Sequence, residues 1–357
     1  VIEKREGRFV TIKGRRVLSF ASNDYLGLGV SKALAARVGK HFNASASASA
    51  SASSSRLVAG NYAAICRAEK IFADYFGYED ALFFSSGYQA NLALLSTLFE
   101  NGDTLLFDKH VHASSVKGMA LSAATLKGYR HNSLAHLEKR LNAVPPGNRA
   151  VVTESLFSMD GDLLPVEALG RLKEKHGFYG VVDEAHAFGV LGDKGRGIAK
   201  GVADVALGTF GKALGLFGAF VLLPSGVKEY LVNFASPFIY TTAFPPAHAL
   251  AAVDALELVE QGDDARKTLA QVSVAMEETL TRQGFEVFGD AHILSVVMGD
   301  EERAVRVSRE LLLRGILTFP ARYPTVPLGK ATLRLGMTAL HREGDIQTLV
   351  TALKEVA

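Results

Sequence analysis

Between Asp80 and Leu223 the chain repeats one alternation, a short run of β-forming residues followed by a segment with helical spacing. The β-like runs are 81–84, 104–108, 150–154, 180–184, 205–208 and 219–222, with helix-like segments such as 89–98 and 166–175 between them. Strands that alternate with helices pack as a largely parallel sheet covered on both faces, so the sequence predicts an α/β fold. In such sheets ligands lie beyond the carboxyl ends of the strands. Residues that directly follow each apolar run are therefore the places to look for chemistry.

The flanks read differently. Residues 7–20 mix β-formers with basic residues and predict a short hairpin, followed by a turn at Ser22-Asn23-Asp24-Tyr25-Leu26-Gly27. Residues 44–55 alternate Ala and Ser, which offers a core no anchor and predicts a flexible loop. After Pro245-Pro246 come helical segments at 247–260 and 265–282. Short strands near Glu286 and at 293–297, 316–319 and 332–335 follow, with helices at 302–314 and 344–356. The pattern predicts a smaller α+β domain. At 357 residues the chain exceeds one usual core. The expected division is an N-terminal segment 1–30, a large domain 31–245 and a small C-terminal domain 246–357, with no internal repeat.

Lys plus Arg number 39 and Asp plus Glu 37, a balance that gives no broad basic field for nucleic acid and no polybasic membrane patch. Any bound anion needs a local site. Cys66 is the single cysteine, which excludes an internal disulfide and a cysteine-rich metal cluster and fits a reduced setting. There is no apolar run near the roughly 20 residues of a membrane helix and no signal-like start. The sequence begins at Val1 rather than Met, so part of a native N-terminus would lie outside it. A soluble, cytoplasmic protein is expected.

Three strand ends carry candidate chemistry. Phe83-Phe84-Ser85-Ser86-Gly87-Tyr88-Gln89-Ala90-Asn91 passes from an apolar strand into a helix, whose free N–H groups favour a phosphate. Ordinary helix capping by serine explains the same residues. Val181-Val182-Asp183-Glu184-Ala185-His186 places Asp183 at the ligand crevice, where it could hold a protonated ring nitrogen. Asp-Glu-Ala-His also occurs in nucleotide-driven helicases, but no phosphate-binding Gly-x-x-x-x-Gly-Lys-Ser/Thr loop precedes it. His186 alone could equally be a hydrogen-bonded structural residue. In Gly208-Thr209-Phe210-Gly211-Lys212-Ala213-Leu214-Gly215, a lysine among small and apolar neighbours suits an imine-forming amine, whereas most loop lysines are simply solvated. Together, a phosphate cup, a strand-end acid and a later strand-end lysine suit pyridoxal phosphate.

These residues, in this order, resemble those of the α-oxoamine synthases, a family of fold-type-I pyridoxal-phosphate transferases. The likeness runs from Phe20 to nearly the C-terminus. It is carried by Ser22 to Gly27, Asp108 to Ser114, Phe157-Ser158-Met159-Asp160-Gly161-Asp162, Asp183 to Gly189 and Thr209 to Gly215. The family condenses an amino acid with an acyl-CoA and releases carbon dioxide. Two further stretches, Phe238-Ile239-Tyr240-Thr241-Thr242-Ala243-Phe244-Pro245-Pro246 and Arg322-Tyr323-Pro324-Thr325-Val326-Pro327 with the following 331–335, resemble the biotin-synthesis branch. That branch uses L-alanine and a pimeloyl thioester on CoA or acyl carrier protein. The threonine-catabolic branch, which uses glycine and acetyl-CoA, matches these stretches less well but shares the core chemistry.

The resemblance implies that Lys212 holds pyridoxal 5'-phosphate and later moves the substrate proton, and that Asp183 faces the ring nitrogen. It implies that His112 stacks on the ring, that His186 and Ser158 lie near its phenolic oxygen, and that Gly87, Tyr88 and Thr209 grip the phosphate. Arg334 and Asn23 would bind the amino acid, with a forked guanidinium suited to its carboxylate, and Thr325 would lie near the acyl thioester. No metal is implied. The segment around Thr241 and Thr242 would reach a neighbouring subunit's cofactor, which implies a homodimer with a shared site. Considered singly, His112 could be a surface residue, Ser158 a turn and Arg334 an exposed ion pair.

Three departures fall on the acyl-thioester side. The Ala/Ser tract replaces a glycine-rich loop, Ser236 stands where relatives carry arginine, and the N-terminal helix of relatives lies outside this sequence. A non-catalytic partner subunit is the remaining alternative; such a subunit would be expected to lack the lysine, and Lys212 is present.

Overall fold

Strands β1 (Lys4–Glu6), β2 (Phe9–Ile12) and β3 (Arg15–Ser19) form an antiparallel meander. Lys13 and Gly14 join the last two, both at positive φ (49° and 69°), the conformation whose twist matches paired strands. The predicted hairpin thus gains a third strand. The computed structural model describes residues 1–43, 49–145 and 147–357. It divides into a larger unit, Lys32–Ser155 with Leu164–Gln261, and a smaller unit, Val1–Ser31 with Leu156–Leu163 and Gly262–Ala357.

The larger unit is built on seven strands: β4 (Asp80–Phe84), β5 (Thr104–Asp108), β6 (Thr125–Tyr129), β7 (Arg149–Glu154), β8 (Tyr179–Asp183), β9 (Val205–Thr209) and β10 (Ala219–Leu223). Their order is β4-β10-β9-β8-β7-β5-β6. Only β10 runs against its neighbours; the pairs from β9 through β6 are all parallel. Alternate residues feed different cores. Leu105, Ala150 and Val152 join one cluster with Leu94 and Leu207, while Leu106 and Val151 join another with Leu137 and Leu169. Both faces are therefore covered, as a parallel sheet requires. The sequence-based reading missed β6, a half-exposed edge strand whose Thr-Leu-Lys-Gly-Tyr has no apolar run.

The smaller unit holds two four-stranded sheets, completed by β11 (Val287–Phe288), β12 (Ile293–Gly299), β13 (Ile316–Leu317), β14 (Phe319–Ala321) and β15 (Ala331–Gly336). The single strand expected at 316–319 is two: β13 pairs in parallel with β3, whereas β14 pairs antiparallel with β15. Thr318, between them, marks the change of sheet.

Two boundaries depart from expectation. The helix Pro246–Glu260 groups with the larger unit, where its buried face of Ala247, Ala251, Ala255, Leu256 and Val259 packs on helices Lys32–Asn43 and Ala63–Phe76. The N-terminal strands are part of the smaller unit through the β3–β13 pairing. The loop expected at 44–55 also needs correction. Residues 44–48 lie outside the described residues, but 49–55 are anchored: Ala52 is buried, and the Ser49 and Ser54 carbonyls accept the Ala247 and Ala243 amides. Small side chains allow that close backbone approach, so the anchor is hydrogen bonding rather than apolar packing. Among the described residues no helix is long and apolar enough to cross a membrane.

Candidate active site

At the end of β4, Ser86 caps the helix Gly87–Thr97. Its hydroxyl accepts the Gln89 amide at 3.1 Å, and the Gln89 side chain accepts the Ser85 amide at 3.1 Å. Of the N–H groups that every helix start leaves without partners inside the helix, Gln89 is satisfied by this cap and Ala90 by the Ser86 carbonyl. The Gly87 and Tyr88 amides have no acceptor among the described residues, and both residues line a cavity of about 180 Å³.

The same cavity collects the ends of the neighbouring strands. Asp183 closes β8 and Glu154 closes β7, and the two are register partners, so their side chains leave the same face of the sheet. The Ala185 amide donates to Asp183 Oδ1 at 3.0 Å, and Asn91 Nδ2 donates to Oδ2 at 2.9 Å. Glu154 Oε1 accepts the His112 amide at 2.5 Å. His112 begins the helix Ala113–Ala120, and its Nδ1 accepts the Ser114 amide at 3.2 Å and lies 2.7 Å from the Ser114 hydroxyl. Burial lowers the imidazole pKa, Asp183 opposes that shift, and Lys212 adds to it. The balance keeps the ring neutral near pH 7.

Lys212 lies in the loop after β9. Phe210 anchors that loop in an aromatic cluster, with ring centroids 5.0 Å from Phe83, 5.3 Å from Phe220 and 5.4 Å from Phe72. Gly208 makes the packing possible: a Cβ there would fall 2.2 Å from the Phe220 ring. Gly218, at φ 107°, offers the carbonyl that accepts both the Phe210 amide and the Thr209 hydroxyl. Half-buried Lys212, the half-buried Thr209 and the buried His186 all line the cavity. Glu184, the other acid of the Asp-Glu-Ala-His run, instead accepts the Ile198 and Ala199 amides and pins the following loop. Burial pushes its pKa up to about 7.

The smaller unit carries a second constellation. Arg334 on β15 is 5% exposed; its Nε donates to the Ser158 carbonyl at 2.5 Å and its Nη2 to Asn23 Oδ1 at 3.2 Å. Among the described residues no carboxylate pairs with it. The buried Tyr25 hydroxyl also donates to Asn23 Oδ1, at 3.2 Å, so the Asn23 oxygen is held by two donors and its NH2 is left to face another acceptor. Burial pushes the Tyr25 hydroxyl up to about 12, against the pull of Arg334. A buried cation with only uncharged partners is costly unless an anion joins it.

Gly87, Tyr88, His112, Asp183, His186, Thr209 and Lys212 thus share one cavity. Within the smaller unit, the Ser158 carbonyl accepts from Arg334 Nε, and Arg334 Nη2 also donates to Asn23 Oδ1. Thr325 is exposed in the loop before β15. Sequence reasoning missed Asn91, Ser114 and Glu154. Glu154 carried a usable signal, an acid closing an apolar strand as Asp183 does. The cavity fits pyridoxal phosphate on its own chemistry: two unsatisfied amides for a phosphate, a carboxylate for a ring nitrogen and an amine for an aldehyde.

A sequence model of the aminotransferase class I and II family matches residues 15–353. The chain belongs to that family. Within aminotransferase class I and II it is 40% identical over 362 residues to 8-amino-7-oxononanoate synthase of Stutzerimonas stutzeri, covering 99% of this chain and 91% of the relative. Among solved structures it resembles Sphingomonas wittichii serine palmitoyltransferase, with TM-score 0.93, 29% identity, and coverage of 100% of this chain and 91% of that one. It also resembles 8-amino-7-oxononanoate synthase from Francisella tularensis, with TM-score 0.81, 32% identity, and coverage of 95% and 98%. The α-oxoamine synthase branch of the family and the fold-type-I architecture follow from these likenesses.

Proposed function

We propose that the protein condenses L-alanine with a pimeloyl thioester, releasing carbon dioxide and forming 8-amino-7-oxononanoate for biotin synthesis. The observation that carries the reading is the cavity in which Lys212, Asp183 and His112 converge beyond an open helix N-terminus. Identity of 40% over 99% of the chain to an 8-amino-7-oxononanoate synthase supports the same activity. The enzyme is a pyridoxal-phosphate-dependent acyltransferase. When bound, pyridoxal 5'-phosphate supplies an aldehyde that takes up amines and a ring that draws electrons from the substrate's α-carbon.

The protein's residues do the rest. The Gly87 and Tyr88 amides hold the phosphate at the positive end of their helix. The Thr209 hydroxyl, which donates to the Gly218 carbonyl at 2.9 Å, turns to join them. Asp183 would hold the ring nitrogen, His112 would serve the ring face as a neutral imidazole, and the roles expected of His186 and Ser158 are at the phenolic oxygen. The Lys212 amine would hold the cofactor's aldehyde and, when free, would carry the substrate's α-proton on Nζ. Arg334 and Asn23 bind the amino acid's carboxylate, supplying the anion that the buried guanidinium lacks. Thr325 contacts the acyl thioester.

The proposed assembly is a homodimer in which the Thr241–Thr242 region serves the partner's site. Support comes from the large apolar side chains of Tyr240 and Val58, 83% and 81% exposed. The proposed location is the cytoplasm.

Mass spectrometry of the product from alanine and pimeloyl-CoA, with glycine, serine and acetyl-CoA in parallel reactions, tests the reading. A dominant 8-amino-7-oxononanoate product is expected. Preference for glycine with acetyl-CoA would assign the protein to a sister synthase, and no product from any pair would point to a supporting subunit.

A further inference from the structure

The Asn91 side chain is 3% exposed and its NH2 group has two hydrogens with two acceptors, Asp183 Oδ2 at 2.9 Å and Ser114 Oγ at 3.0 Å. The amide cannot be turned over, because its oxygen would then face the Asp183 carboxylate. Ser114, 1% exposed, accepts from Asn91 and so has its one hydroxyl hydrogen left for His112 Nδ1, 2.7 Å away. The Ser114 amide points at the same nitrogen. A ring nitrogen that accepts from two donors carries no hydrogen of its own, so the His112 proton sits on Nε2.

We propose that Asn91 is a positioning residue acting in two directions: its amide orients Asp183 and, through the Ser114 hydroxyl, holds His112 as the neutral Nε2–H imidazole. The proposal rests on the assignment of this cavity to pyridoxal phosphate. It adds that the carboxylate meant for the ring nitrogen and the imidazole meant for the ring face are set by one side chain. In its absence the Ser114 hydroxyl is free to rotate and accept a hydrogen bond from an Nδ1–H tautomer. The groups facing His112 are Asp183, Lys212 and Glu154, with His186 and Tyr88 lining the same cavity.

Nitrogen-15 NMR of labelled histidine in the cofactor-free protein reads the tautomer and pKa of His112, and fluorescence titration reads pyridoxal-phosphate affinity. Wild type should show Nε2–H; an Nδ1–H tautomer overturns the proposal without any variant. Ser114→Ala and Asn91→Leu should each raise the His112 pKa, because each removes a donor arrangement that favours the neutral ring. The double variant should show the same His112 tautomer balance as Ser114→Ala alone, since Asn91 reaches Nδ1 only through Ser114. Pyridoxal-phosphate affinity should fall about tenfold in Asn91→Leu and by less than about threefold in Ser114→Ala, because only the first loses a hydrogen bond to a charged group. Unchanged His112 signals in Asn91→Leu overturn the relay, and equal affinity losses in the two variants overturn its two-way character. A wild type that keeps the Nε2–H tautomer yet takes up no pyridoxal phosphate would sink the functional reading instead.

Discussion

The two units treat buried charge in opposite ways. In the larger unit the cavity's acids already have protein partners: Asp183 takes two donors, Glu154 takes the His112 amide, and Asn91 and Ser114 tie the set together. In the smaller unit the buried Arg334 meets only uncharged partners among the described residues, a carbonyl, an amide oxygen and the Tyr25 hydroxyl. The first arrangement fixes geometry before anything binds, which suits a resident group held by many contacts. The second leaves a positive charge uncompensated, which suits an anion that comes and goes with each turnover. Preorganisation and unmet charge are thus divided between two pieces of the same chain.

That contrast breaks most sharply at Lys212. Replacing it by alanine should reduce turnover by about a thousandfold or more, since the residue is both attachment point and proton carrier. Rates of product formation and the visible spectrum of the bound cofactor check it, with circular dichroism showing that the fold persists; near-normal turnover would remove the lysine from the chemistry. Arg334→Lys comes next. A point charge replaces a fork, so KM for the amino acid should rise about tenfold, while pyridoxal-phosphate affinity stays within about twofold. If the lysine variant instead lost cofactor and kept its KM, the division of labour between the units would be wrong.

Much of this was legible in the sequence because fully buried parallel strands read as continuous apolar runs. Six of the seven strands in the larger sheet are largely buried and stand out, and residues that end two of them, Asp183 and Thr209, fall where a ligand must sit. The edge strand Thr125–Tyr129 is half-exposed and leaves no such trace. Ser158 could be found by resemblance but not placed, because its role at Arg334 depends on a loop that joins the smaller unit from the middle of the chain. Asn91 and Ser114 stand inside motifs that point to a site, yet a buried amide has no periodic signature. Only the three-dimensional hydrogen bonds show which donors it serves. The Ala/Ser tract misleads for a related reason: its residues are held by their carbonyls, and composition reports side chains.

The smallest effect sharpens the comparison through pH. Glu184 in the larger unit has its pKa raised from 4.5 to about 7 by burial. Its contribution to stability is complete below pH 4.5 and is lost as pH rises through about 7. His341 in the smaller unit, stacked on Phe20 and bonded to the Ser19 carbonyl, has its pKa lowered from 6.5 to about 4, again by burial. Its contribution is complete above pH 6.5 and is lost as pH falls through about 4. Each slope amounts to something on the order of 3 kcal/mol, and over the shared window the two oppose each other, so a global melting curve shows little of either. Hydrogen exchange resolves local opening. Between pH 5 and about 7, protection around Ile198 and Ala199 should weaken with rising pH while protection around His341 strengthens, and Glu184→Gln should flatten only the first trend. Parallel trends in both places would mean that the two groups titrate as one cooperative body, and the chemical independence of the units would fail with it.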